Sequence, residues 1–352
     1  MTSTSADPAG TVFIVPGDLP GPSGGSRYNE ALARALEATG HPLVVVEVPG
    51  PWPRPRAKDM AALDAALASR PQAVVDGLIA SAAPAQIQRA ASRGVRVHIL
   101  FHLSLAADCG LPADESEHIV LAERDALHAA ATVICTSHWA ASDVVERYGP
   151  LPTRVLLPGT DPAPLVAGST PPQLLVLASI TPRKNQLTIL RALAAVAELE
   201  WTALFVGPDA AEPAYARQVR GLAARCFEPG RVEITGPRDG KDLEAIWSAT
   251  DLLLLVSHAE TFGMVVTEAA ARGIAAVVGS GTGAEEALTL TGSMPTGAAV
   301  DPADPAALAA VLRGWLTEPG LRASWRQAAA MARDRLPTWN QTAHGMLGIL
   351  QP

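Results

Sequence analysis

A chain of 352 residues exceeds what one hydrophobic core usually organises, so two domains are expected. Its 48% hydrophobic share is inflated by alanine and holds no run near the roughly 18 apolar residues a membrane span needs. The net charge of −8 is shared between residues 1–165 (12 basic, 17 acidic) and the remainder (15 and 18), which argues against a nucleic-acid partner and against tight docking on an anionic leaflet.

Residues 1–10 lack the basic start and apolar stretch of a signal peptide and read as a disordered lead-in. Cys109, Cys135 and Cys226 are isolated, without the paired spacings of zinc or redox sites, and a reducing cytoplasm fits them. Short apolar runs then alternate with helical patterns, the signature of βαβ units on parallel sheets. In the first half the expected strands are 12–15, 43–48, 73–75, 95–101, 133–135 and 155–157. After the first comes a Gly/Pro/Ser loop, 16–26, holding Gly24 and Gly25, with a helix expected from about residue 27. Paired glycines let backbone approach a ligand at a helix start, although such loops also serve as ordinary turns. The loop has neither the dinucleotide-binding glycine spacing nor the phosphate-loop lysine. Trp52 with Arg54, Arg56 and Lys58 is either a solvated loop or a patch for anionic lipid or an acidic acceptor. His98 and His102 share one face of their strand; His98 lies within the sheet and reads as structural. His102 sits at the strand end, where a ligand would lie, and is a candidate beside the ordinary reading of a turn-bonded histidine.

The Pro-rich segment 158–173 is the best domain boundary, giving domains 1–165 and 166–335 and a terminal segment 336–352. The second series of strands is 174–178, 203–206, 232–234, 252–256 and 275–278, followed by helices separated by Pro319 and Pro337. Two doubly wound domains facing across a cleft follow, with ligands outside the carboxyl ends of the strands. At the first of these ends, Arg183 and Lys184 offer a forked donor and a point charge to a diphosphate; alone, they also suit a solvated turn. Gly207, and Gly236 with Pro237, end two further strands and would let a flat base lie on backbone. Beyond 252–256, Glu260 lies in a loop and Glu268 two turns into a helix read as 262–272, on roughly the same side. Thr261, Phe262, Gly263 and Met264 open that helix, where peptide N–H groups and the positive dipole end suit a phosphate. An anion flanked by two hydroxyl-seeking acids describes a nucleotide sugar. The competing reading makes Glu260 a helix-start acid and Glu268 a solvated face charge.

In this setting the chain resembles glycosyltransferase family 4, retaining enzymes of the GT-B fold. The span from Glu260 to Glu268 resembles the family's E-x7-E element, with Ser257 before it, Phe262 and Gly263 within it and 269–273 after it. Residues 182–185 resemble its lysine turn, 157–161 the glycine-x-aspartate that ends the first domain, and Gly24-Gly25 its first glycine loop. Residues 136–149 match its serine-starting helix, 283–286 and 300–305 its tail, and Trp339 the tryptophan heading a last helix that in this fold crosses back to the first domain. The likeness covers the whole second domain and, more loosely, the first. It implies that Glu268 binds the ribose hydroxyls, Glu260 the donor sugar, and Lys184 with Arg183 the diphosphate, with His102 near the transferred sugar. One departure is Ala178-Ser179, where many members carry Gly-Arg; either Arg183 substitutes or donor binding weakens.

The resulting expectation is a retaining transferase that moves a sugar from a UDP-, GDP- or dTDP-sugar to a small soluble hydroxyl or saccharide acceptor. No cofactor and no metal are expected, since no acid cluster resembles a divalent site. No nucleophilic carboxylate is evident, which favours same-face attack with the leaving phosphate taking the acceptor proton. A non-catalytic nucleotide-sugar-binding partner of another transferase, and a membrane-associated lipid or polysaccharide transferase with peripheral contact at most, are the alternatives. An epimerase would want more acids and histidines in the cleft.

Overall fold

The computed structural model describes residues 10–19, 23–107, 113–290 and 296–351, the side chains of 113–116 apart. The expected lead-in over 1–9, part of the first glycine loop (20–22) and Cys109 lie outside the described residues. The chain forms two compact units, 1–159 with 337–352, and 160–336.

The first unit is built from β1 (Thr11–Pro16), α1 (Gly24–Ala38), β2 (Val44–Val48), α2 (Ala57–Ala68), β3 (Gln72–Asp76), α3 (Gly77–Ala82), α4 (Pro84–Ser92), β4 (Arg96–Phe101), α5 (Ala113–Ala129), β5 (Thr132–Cys135), α6 (His138–Tyr148) and β6 (Thr153–Val155). All strand pairs are parallel, in the order β2-β1-β3-β4-β5-β6. Because helices cover a parallel sheet, its inner strands read as unbroken apolar runs, and Val12, Ile14, Val75, Ile99 and Val133 are fully buried. The chain order reverses between β1 and β3, so the ends of these strands flank a switch point. Helix α1 begins at Gly24, earlier than expected, because Ser23 and Ser26 form a reciprocal capping box there. Strand β6 ends at Val155 rather than 157: the Leu156 amide still bonds the Cys135 carbonyl at 2.8 Å, and Pro158, with no N–H, cannot extend the ladder. Trp52 is buried, its indole Nε1–H donating to the Val48 carbonyl at 3.0 Å, and Arg56 pairs with Asp59 at 3.0 Å. The lipid-facing patch considered for 52–58 therefore lacks its aromatic anchor.

The second unit follows with β7 (Gln173–Leu177), α7 (Gln186–Ala194), β8 (Thr202–Val206), α8 (Pro213–Cys226), β9 (Val232–Gly236), α9 (Gly240–Ala249), β10 (Thr250–Leu255), α10 (Met264–Ala271), β11 (Ala275–Gly279), α11 (Gly283–Thr289), β12 (Gly297–Val300), α12 (Pro305–Thr317) and α13 (Pro319–Ala332). Its sheet is also parallel, ordered β12-β11-β10-β7-β8-β9, with the switch point between β7 and β10. Each strand expected from the sequence has its counterpart; β12 was not expected, since its Gly-Ala-Ala-Val run is short and carries one branched residue. Helix α10 starts at Met264 rather than 262, because Gly263 takes the left-handed conformation (φ 80°) as its N-cap.

Helix α14 (Trp339–Leu350) belongs to the first unit, where it packs on α1. Thr338 and Gln341 form its capping box, and Thr342 Oγ1 donates to the Leu157 carbonyl at 2.9 Å. A Cβ on Gly159 would come 2.2 Å from the Trp339 nitrogen, so only glycine fits where the segment after β6 passes the start of α14. Gln72 Nε2 donates to the Leu350 carbonyl at 3.1 Å and meets His98 Nε2 at 2.8 Å, and His98, pushed down to about 4 by burial, is neutral and structural. Among the described residues no helix is long and apolar enough to cross a membrane.

Candidate functional site

In the second unit the turn after β7 and the loop after β10 meet at the switch point. A short 3₁₀ turn, Pro182–Lys184, ends on Asn185 in the left-handed conformation (φ 60°). That strained residue is held by its own side chain, whose Nδ2 donates to the Val256 and Pro302 carbonyls at 3.1 and 2.7 Å. The turn thereby aims Arg183 and Lys184 at the loop from Ser257. Lys184 Nζ forms a short salt bridge with Glu260 Oε1; Arg183 lies 3.7 Å from the same oxygen and donates to the Ala259 carbonyl at 3.0 Å. Ser257 Oγ donates to Glu260 Oε1 at 3.0 Å, and the His258 amide donates to the Arg183 carbonyl at 2.9 Å. Burial alone would raise the Glu260 carboxyl, but Lys184 and then Arg183 outweigh it and hold the group below the usual carboxylate range. The cluster is thus one carboxylate facing two cations.

The loop carrying Glu260 is clamped by glycines on its neighbours. A Cβ on Gly283 would stand 2.0 Å from the Thr261 carbonyl oxygen, and one on Gly279 would stand 2.3 Å from that of Ser257. The Gly283 amide donates to the Glu260 carbonyl at 2.7 Å, and Phe262 is buried. Glu268 lies half-buried on α10, with Met264 and Gly263 at the helix start. At the ends of β8 and β9, the Gly207 amide donates to the Gly236 carbonyl at 3.1 Å, and a Cβ on Gly207 would reach 2.1 Å from the Ala178 carbonyl. Gly236 (φ 75°) has open space where a Cβ would stand, and Pro237 is exposed. Arg183, Lys184 and Glu260 are therefore in one cluster; Gly207 and Gly236 adjoin one another beside the Ala178 turn.

In the first unit, His102 follows β4 and its Nε2 lies 2.8 Å from Asn29 Oδ1 and 3.5 Å from Asp76 Oδ2. Gly25 lies close against its ring, and Tyr28 packs edge-on at 5.2 Å. Burial lowers the His102 pKa, with Asp76 opposing in part. Gly24 is exposed at the start of α1 with nothing within 4 Å of a Cβ there. Asn29 and Asp76 were not identified from the sequence. Asp76 carried a signal: a carboxylate closing a buried strand and capping the next helix, its Oδ1 accepting from the Leu78 amide at 2.8 Å. Among the described residues no group of three or more His, Cys, Asp or Glu could hold a metal ion.

Residues 159–331 match the family model described as glycosyl transferases group 1. Two curated proteins, the D-inositol 3-phosphate glycosyltransferases of Salinispora arenicola and Xylanimonas cellulosilytica, are each 28% identical, over 65% and 72% of this chain. The matched part spans 56% and 65% of those relatives' own length. Among solved structures, sucrose-phosphate synthase from Thermosynechococcus elongatus superposes with a TM-score of 0.77 at 20% identity, covering 96% of this chain and 97% of that one. Anabaena HepE in complex with UDP-glucose gives 0.75 at 20% identity, covering 97% and 99%. The chain therefore has the GT-B fold, and its residues 159–331 are similar to the group 1 glycosyl transferases.

Proposed function

We propose that this protein transfers a sugar from a nucleotide-sugar donor to a hydroxyl acceptor with retention of configuration. The observation that carries the reading is the cluster of Arg183, Lys184 and Glu260 at the β7/β10 switch point, where a doubly wound sheet takes its ligand. Glycosyl transfer passes through an oxocarbenium-like state while negative charge grows on the leaving diphosphate, so catalysis consists of stabilising that charge and aligning the acceptor. On this reading Lys184 and Arg183 take the diphosphate, Glu260 turns to the sugar hydroxyls, and Glu268 binds the ribose. Gly207, Gly236 and Pro237 offer backbone to the base. For His102 the resemblance to family 4 implies a role toward the transferred sugar. The acceptor attacks the face that the diphosphate leaves, and the departing phosphate oxygen takes the acceptor proton; no protein nucleophile and no metal enter this reaction.

A uridine nucleotide is the first donor to test, because HepE was crystallised with UDP-glucose, and an inositol phosphate is the first acceptor, because the curated relatives are named for one. Incubation with UDP-, GDP- and dTDP-sugars, each with and without acceptor, is read by nucleotide release and by the anomeric proton couplings of any product. Slow donor hydrolysis and a retained anomer are expected. Tight nucleotide binding without turnover of any donor would sink the transferase reading in favour of a non-catalytic sugar-nucleotide-binding role. Ser179, where many members of the resembled family carry arginine before the lysine turn, makes that second outcome worth the control.

A further inference from the structure

A closed ring of three oxygen contacts lies under the end of β4. Glu123 is fully buried on α5, and its neighbours one turn away on that helix, Ile119, Val120, Ala126 and Leu127, are apolar. Its Oε2 accepts from the Leu105 amide at 2.8 Å, at the head of a short 3₁₀ turn, Leu105–Ala107, that follows β4. Ser104 Oγ stands 3.3 Å from the same oxygen and 3.0 Å from the Tyr148 hydroxyl, and that hydroxyl stands 3.1 Å from Glu123 Oε1. The Ala106 amide donates to Ser104 Oγ at 3.2 Å, so two successive amides of the turn hang on the ring. His128 Nε2 donates to the Tyr148 carbonyl at 2.8 Å and ties the last residue of α6 to α5.

Three contacts need three protons. Ser104 and Tyr148 bring one hydroxyl proton each, and burial pushes the Tyr148 phenol above its ordinary range, so it stays protonated. The third is the carboxyl proton of Glu123. The Leu105 amide takes Oε2 as its acceptor, which puts the acid proton on Oε1. The ring then runs one way: Glu123 Oε1 donates to Tyr148, Tyr148 to Ser104, and Ser104 to Glu123 Oε2. Ionised, the carboxylate leaves two protons for three contacts, and one pair of oxygens meets lone pair to lone pair. No neighbouring cation is turned to that charge. Arg147 of α6 is bonded to Asp143 at 2.9 Å, Arg89 of α4 to Asp64 at 2.8 Å, and Arg124 of α5 to Asp125 at 3.0 Å. Helix α3 and the 105–107 turn carry no titratable side chain, Glu117 and His118 of α5 are exposed, and His98 and His102 meet Gln72 and Asn29. Burial therefore pushes the Glu123 carboxyl up from 4.5 to about 7.

We infer that Glu123 is a proton-keyed clasp on the turn after β4: as the neutral acid it closes the ring and holds Leu105–Ala107 against α5, and on ionising it opens the ring and loosens the turn. The turn leaves a strand end of a doubly wound sheet, where ligands lie, so the clasp makes that strand end sensitive to pH. It involves no substrate and stands whether or not the protein turns over a sugar nucleotide. In the full chain labelled with ¹³C at glutamate Cδ, the Glu123 resonance is identified by its loss in Glu123→Gln, and hydrogen exchange of the Leu105 amide reports on the turn. The carboxyl is expected neutral at about pH 5.5 and ionising around 7. Across that interval the protection of the Leu105 amide falls about tenfold, the size of one hydrogen bond. Glutamine keeps the ring, its Nε2 donating to Tyr148 and its Oε1 accepting from Leu105 and Ser104, so Glu123→Gln holds the wild type's low-pH protection at every pH. A carboxyl already ionised at about pH 5.5, a wild-type protection that does not change with pH, or the same fall in Glu123→Gln would overturn the inference. Should Glu123→Gln not fold, the wild-type protection of Leu105 alone decides.

Discussion

Glu260 and Lys184 make opposite demands on the site, and separating them tests its central contact. In the ligand-free protein the Lys184 ammonium is engaged by Glu260, with the Arg183 guanidinium 3.7 Å away, and the side chains of both cations are less than one-fifth exposed. Glu260→Gln removes the carboxylate they share. Breaking one side of a buried pair costs about 3–5 kcal/mol, and the retained bond from Ser257 to the amide places this case near about 3 kcal/mol. For a unit of this size, that is a fall in melting temperature of roughly 6–12 °C, at about 2–4 °C per kcal/mol. A diphosphate would meet the same Lys184, so Glu260 is its competitor in the free protein, and UDP affinity in Glu260→Gln holds or rises while turnover falls. Lys184→Met also destabilises, but it loses charge-assisted bonds to phosphate of about 1.5–3 kcal/mol, and UDP binding weakens roughly 10- to 100-fold. Calorimetry supplies both readouts, scanning for stability and titrating UDP for affinity. Equal losses of UDP affinity in the two variants, or a Glu260→Gln protein that melts with the wild type, would refute the assignment.

Three further perturbations probe separate parts of the molecule. Glu268→Ala is expected to weaken UDP binding by about 10-fold or more, the loss of a charge-assisted hydrogen bond, and an unaltered titration would remove Glu268 from the ribose site. Gly207→Ala places a Cβ 2.1 Å from the Ala178 carbonyl at φ 153° and is expected to cost more than about 2 kcal/mol in urea unfolding, whereas Gly24→Ala, with open space at its Cβ, stays within about 0.5 kcal/mol; similar midpoints for the two would contradict the close approach. Glu123, buried and bonded by the Leu105 amide at 2.8 Å and by Tyr148 at 3.1 Å, is pushed up from its ordinary 4.5 to about 7 by burial, despite those donors. The folded protein therefore binds a proton that the unfolded chain has released between those values, so the stabilisation this proton brings is lost as pH rises from about 4.5 to 7. Glu123→Gln is expected to flatten the fall in unfolding free energy across that window by up to about 1.4 kcal/mol per pH unit, and identical slopes in the two proteins would exclude Glu123 as the group.

Local pattern and strand order contribute differently to these sites. The apolar runs of β1, β4, β7 and β10 were legible because a parallel strand buried on both faces carries no polar alternation to obscure it, and Pro319 and Pro337 marked the later helix boundaries because proline cannot continue a preceding helix. Lys184 and Glu260 were each legible as residues that follow a strand. Their contact was not, because 76 residues separate them and nothing local records that β7 lies beside β10. The same gap hid Asn29 and Asp76. Asn29 sits inside a helix and reads as an ordinary polar residue, until the reversal between β1 and β3 brings α1 against the end of β3. In each unit, polar side chains from widely separated segments meet where the chain order reverses, because two loops leaving adjacent strands in opposite directions leave that crevice uncovered. The Pro182–Lys184 turn shows the local counterpart: it is compatible with a solvated charged loop until Asn185, held left-handed by the Val256 and Pro302 carbonyls, turns both cations inward. Placement after a particular strand, rather than the charge of the side chain, is what distinguishes Arg183 and Lys184 from the exposed arginines of the helices around them.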